Sequence, residues 1–127
     1  MSDKQQAGSL LRMAKNDLTA LQGMQSRQQF SDEIFGLHAQ QVIEKCCKAW
    51  IAILGKKYPF THDVSMLLKV LEENGCPVSE YWEFAEMTAF AMNIRYEGID
   101  ETALPLNREH IIKIMCLLYE SVNKMML

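Results

Sequence analysis

Residues 39–49 read Ala39-Gln40-Gln41-Val42-Ile43-Glu44-Lys45-Cys46-Cys47-Lys48-Ala49, and their apolar positions recur every three or four residues. Ala39, Val42, Cys46 and Ala49 fall on one face of a helix, and Phe35, Trp50 and Ile53 extend that face in both directions. Ile43, Cys47 and Leu54 widen it beyond a simple seam, so the stretch predicts a central helix touching several neighbours. Gln41, Glu44, Lys45 and Lys48 share the narrow polar face that is left. Ser31 or Asp32 supplies the N-cap, and Gly55 ends the helix.

Four further helical patterns surround this one, with no convincing period-2 strand. Ser2-x-x-Gln5 is a capping box that opens the first helix, whose stripe is Leu11, Ala14, Leu18 and Leu21. Leu10, Met13 and Met24 flank that stripe. Tyr58-Pro59-Phe60 is an extended linker into a third helix starting at Thr61 or Asp63. That helix buries Val64, Leu67, Leu68 and Leu71 and ends at Asn74-Gly75. Pro77 and Ser79 open a fourth helix with two apolar stripes. One is Trp82, Ala85, Ala89 and Met92; the other is Phe84, Met87, Ala91 and Ile94. Two apolar faces on one helix of a small domain suggest one for the core and one for a partner subunit. Asn107 caps a fifth helix with the stripe Ile111, Met115, Leu118, Val122 and Met125. Short connections make sequential helices antiparallel neighbours. The expected fold is therefore all-α, an up-and-down antiparallel bundle of about five helices, with residues 1–127 as a single domain.

The totals exclude several classes. The net charge is −3, which argues against a strong nucleic-acid footprint. Cys46 and Cys47 point about 100° apart on a helix and cannot chelate one metal together. With Cys76 and Cys116 they read as small buried or half-buried thiols of a reducing cytoplasm. No signal peptide and no membrane span are expected, since no apolar run nears the ~20 residues a span needs. The chain shows no P-loop, dinucleotide-binding glycine pattern, nucleophile elbow or metal-ligand spacing. Neither a metal, a cofactor nor a self-sufficient catalytic centre is expected.

Three pieces of the chain, in this order and spacing, resemble the HEPN family of small all-helical domains. Glu44, Lys45 and Lys48 fit its E-K-x-x-K helix. His62 and Asp63 fit its "tHD" segment at the third helix, and Arg95 and Tyr96 fit its "RY" segment at the end of the fourth. The resemblance covers nearly the whole chain. It implies a homodimer that associates with a separate minimal nucleotidyltransferase, often as a toxin–antitoxin pair. HEPN ribonucleases carry Arg-x(4-6)-His from this arginine onward, because metal-free RNA cleavage needs a group near neutral pKa beside a phosphate-holding guanidinium. Here that stretch holds Asp100, Glu101 and Thr102. A carboxylate is already ionised at pH 7 and would repel RNA.

Each candidate residue has two readings. Glu44 and Lys48 form an i,i+4 pair, or else Lys45 or Lys48 contacts a phosphate. Thr61-His62-Asp63 simply caps the third helix, or else His62 donates near a bound nucleotide. Arg95 pairs with Glu97, Asp100 or Glu101, or else holds a phosphate. Tyr96 packs in the core, or else rims the site. His38 and His110 have no acid–base partner nearby in sequence and are assigned no chemistry. The favoured reading is a non-catalytic partner subunit whose dimer cleft, lined by Lys45, Lys48, His62, Asp63, Arg95 and Tyr96, binds a nucleotide weakly. The alternatives are a metal-independent ribonuclease toxin using His62, or a purely structural dimerisation module.

Overall fold

The computed structural model describes residues 2–86 and 106–127. Helix α1 spans Asp3–Gln22, α2 Asp32–Ile53, α3 Val64–Glu73 and α4 Arg108–Lys124, with a 3-10 helix at Ser79–Phe84. The described residues contain no strand, and the fold is all-α.

Local chemistry sets the helix ends. Ser2 and Gln5 form the reciprocal capping box at the start of α1. Ser31 caps α2, Asp63 caps α3 and Asn107 caps α4, each side chain accepting from a backbone N–H of the first turn. After α2 and α3 the chain turns through Gly55 and Gly75, at φ of 74° and 78°, where an L side chain would be strained. The fourth predicted helix begins differently from the reading of Pro77 and Ser79 as its opening. Val78 stands at the cap without a side-chain hydrogen bond, and the turn is 3-10, burying Tyr81 and Phe84. Most of its two stripes, from Met87 onward, lies outside the described residues, as do Arg95 and Tyr96.

Helix α2 is the axis of the bundle. Phe35, Ala39, Val42, Ile43, Cys46, Cys47, Ala49 and Ile51 are all fully buried. They meet Leu11, Ala14, Leu18 and Leu21 of α1, Val64, Leu67, Leu68 and Leu71 of α3, and Ile111, Met115, Leu118 and Val122 of α4. Each such aliphatic side chain contributes roughly 1.5–3 kcal/mol when removed from water. Met125, expected in the stripe of the last helix, lies outside this core, as do Met13 and Leu54, expected to flank or widen theirs; all three are more than a third exposed.

Cross-helix contacts give the directions. Asp17 of α1 meets Lys45 of α2, and Gln6 reaches Tyr58 just past α2, so these two helices run antiparallel. Lys15 lies over Tyr119, and Gly8 faces Met126, so α4 is also antiparallel to α1. The start of α4 meets the start of α2 through Arg108 and Asp32, which makes those two parallel.

Candidate functional site: a polar seam on the central helix

A helix as apolar as α2 has few positions for charge, and those it has are drawn inward. Glu44 is 4 % exposed and Gln40 equally so. A carboxylate this deep is costly to desolvate unless it is paired and hydrogen-bonded. Its Oε1 lies 2.7 Å from His62 Nδ1 and accepts from Gln40 Nε2 at 3.3 Å. Gln40 Nε2 also donates to the His62 carbonyl at 3.0 Å, so one buried amide holds both the carboxylate and the backbone that carries the imidazole. Lys48 Nζ stands 4.0 Å from the other carboxylate oxygen and 5.6 Å from the Tyr58 ring centroid. The expected Glu44–Lys48 pair is therefore the longer of two contacts on this carboxylate, and His62 makes the shorter.

His62 is placed by the turn that begins α3. Asp63 Oδ1 accepts from Ser65 N at 3.0 Å and from Ser65 Oγ at 2.7 Å, and Thr61 Oγ1 accepts from Asp63 N at 3.0 Å. Asp63 thus does the capping. His62 projects back to α2 with its side chain 82 % exposed. A buried carboxylate at one ring nitrogen orients the imidazole, the arrangement a proton-transfer histidine needs.

Lys45, the residue after Glu44 on α2, belongs to a second cluster. Its ammonium sits on Asp17 of α1, and both side chains are less than a fifth exposed. His38 approaches the same carboxylate, with Nδ1 at 3.7 Å from Asp17 Oδ1. That distance is beyond a hydrogen bond, and this buried nitrogen has no hydrogen-bond partner among the described residues. The structure therefore brings Glu44, Lys48 and His62 together, gives Lys45 to Asp17, and leaves Asp63 to the helix end.

Sequence reasoning missed Gln40, Asp17 and His38. Gln40 carried one usable signal, a polar residue four positions before Glu44 on a helix otherwise apolar there. Asp17 carried none, because pairing across two helices has no sequence spacing. It also missed Arg108, which is 5 % exposed. Its guanidinium donates to Met24 O at 2.7 Å, Phe30 O at 2.6 Å and Asp32 Oδ1 at 2.9 Å, and lies 4.9 Å from the centroid of Phe35. Arg27 pairs with the same Asp32. This knot binds the α1–α2 connection to the start of α4.

Among the described residues no group of three or more His, Cys, Asp or Glu could hold a metal ion, and no helix is long and apolar enough to cross a membrane. A family model described as HEPN domain matches residues 7–125, from the first turns of α1 to the end of α4. No curated protein and no solved structure matches the chain.

Proposed function

The chain belongs to the HEPN family, and from that premise we propose that it is a non-catalytic partner subunit. In this reading it forms a homodimer, associates with a minimal nucleotidyltransferase, and holds a nucleotide only weakly. Family membership supports a general nucleotide- or RNA-related or toxin–antitoxin role; the finer assignment is our reading. The observation that carries it is the closure of the polar seam on itself. Lys45 is neutralised by Asp17, and Glu44 is engaged by His62, Gln40 and Lys48. A phosphate arriving at Lys45 would have to displace an existing carboxylate, which keeps any nucleotide weak.

Light scattering at micromolar concentration tests the assembly. The expected mass is twice the 14.6 kDa of one chain, lowered by Met87→Lys on the stripe assigned to the partner subunit. A monomer mass for the wild type overturns it. Calorimetric titration of a minimal nucleotidyltransferase into the purified dimer tests the association, and absence of saturable heat overturns that part.

One observation favours a second reading, the metal-independent ribonuclease. His62 is solvent-facing and backed by a buried carboxylate at 2.7 Å, as a general acid or base would be. Under that reading RNA cleavage in EDTA disappears in His62→Ala and shifts its pH profile in Glu44→Gln. Under the partner-subunit reading neither variant changes anything, because there is no cleavage to change.

A further inference from the structure

Gln40 lies at the bottom of the α2 seam, 4 % exposed, and its amide has every hydrogen bond accounted for. One end of the amide meets Glu44 Oε1 at 3.3 Å and the His62 carbonyl at 3.0 Å. An ionised carboxylate and a carbonyl only accept, so that end is the NH2, and both of its hydrogens are used. The other end accepts from Gln41 Nε2 at 3.0 Å. Turning the amide over would set its oxygen against two acceptors in a buried place, which folded chains avoid.

The consequence falls on His62. Its Nδ1 lies 2.7 Å from the same Glu44 oxygen that takes the Gln40 hydrogen. Against an ionised carboxylate Nδ1 must be the donor, and in the neutral ring Nε2 is then the nitrogen with the lone pair. The His62 backbone hangs on the same amide, at a turn that Thr61 and Asp63 already fix. One side chain of α2 thus sets both the carboxylate that the ring meets and the carbonyl of the residue that carries the ring. Lys48 approaches the other carboxylate oxygen, at 4.0 Å, and touches neither bond.

We infer that Gln40 is the positioning residue of the Glu44–His62 pair: it fixes the oxygen that meets Nδ1, and so holds His62 in the Nδ1–H tautomer with Nε2 as the nitrogen able to take a proton. A histidine side chain in water favours the opposite tautomer, so the seam selects this one. As an assignment of the reacting nitrogen, Nε2 as general base, it rests on the ribonuclease reading. The tautomer itself does not, and it is read without any activity.

Long-range proton–nitrogen correlation spectra of the full chain test this, at a pH where the imidazole signals no longer move. The chain has three histidines, and the His62 signals are those missing from His62→Gln. Wild-type His62 should show a pyrrole-type Nδ1 and a pyridine-type Nε2. The Nδ1–H form should be favoured about tenfold or more, the worth of one hydrogen bond to a charged acceptor. Gln40→Met, close in length but without a donor, should move the ratio back toward that of a histidine in water. Gln40→Glu, which keeps the shape and cannot donate, should do the same. Lys48→Met should leave the ratio as it is. Wild-type His62 in the Nε2–H form overturns the inference, whatever an RNA assay gives. A ratio unchanged in both Gln40 variants also overturns it. So does an equal change in Lys48→Met, which would mark a general loosening of the seam.

Discussion

Arg108 makes the densest set of polar contacts of any single side chain described, at a position where sequence periodicity asks only for a helix start. Its guanidinium ties the carbonyls of Met24, Ser26 and Phe30 and the Asp32 carboxylate together beneath the α1–α2 connection, with its Nε buried and without a hydrogen-bond partner among the described residues. Arg108→Leu removes the buried cation, takes the donor from three carbonyls and leaves Asp32 only Arg27 and the Leu106 N–H, so it should cost about 3 kcal/mol in a urea titration, the cost of breaking a buried pair. Arg108→Lys should recover less than half of that, because one ammonium cannot span the same acceptors. A loss below about 0.5 kcal/mol, the size of an ordinary surface change, would show that the knot is not a structural anchor. The cysteines make a second residue-scale test. Burial raises Cys47 from its ordinary 9.0 to about 12 and raises Cys46 as well, with Cys47 beside it adding to the shift. Both thiols stay protonated in the folded chain while their unfolded counterparts ionise above pH 9. The unfolded state then binds fewer protons, so stability is full below pH 9 and falls as pH rises from there toward 12. For Cys47 the slope approaches about 1.4 kcal/mol per pH unit. Native alkylation at pH 8 should accordingly spare Cys46 and Cys47 and reach Cys76 and Cys116, which are only partly buried. Labelling of all four at equal rates would contradict that burial.

At the scale of the element, Gly75 after α3 and Gly8 inside α1 should behave oppositely. Gly75 has a φ of 78° and nothing within 4 Å of an added Cβ, so Gly75→Ala isolates conformational strain. It should destabilise by about 1 kcal/mol. Gly8 is helical, and its added Cβ would make only an ordinary contact at 3.6 Å, so Gly8→Ala should stabilise by about 0.5–1 kcal/mol through helix propensity. Thermal melts of the two variants should shift in opposite directions; shifts of the same sign would refute the assignment. These elements were legible in the sequence because their signals are local. Apolar spacing marked α1, α2, α3 and α4, and Ser2, Asp63 and Asn107 sit where caps belong. The 3-10 start at Ser79 was not legible, since the tightening follows from burying Tyr81 and Phe84 against the core and not from any local preference. The candidate site was legible only in part. Lys48 and His62 were marked, and they meet at Glu44. Lys45 was marked with them, but its partner Asp17 comes from α1, and side chains joined across a helix–helix interface leave no spacing to read.

For the whole molecule, the seam and the knot share a logic. Asp32, Glu44, Lys45 and Lys48 of α2 each meet a polar partner from α1, α4, a connection or α2 itself, so the polar groups help hold the bundle in register around its apolar axis. A domain whose central charges are occupied in this way is suited to presenting a fixed surface to a partner. The one feature that pulls the other way is His62, oriented by Glu44 and facing solvent. Whether that imidazole performs chemistry separates a partner subunit from a ribonuclease. The most direct measurement is a gel assay of a structured RNA incubated with purified protein in EDTA at neutral pH, run beside His62→Ala and Arg95→Ala. The predicted result is intact RNA with all three proteins. RNA cleaved by the wild type, and left intact by both variants, would contradict the non-catalytic reading and make the Glu44–His62 pair the heart of a ribonuclease.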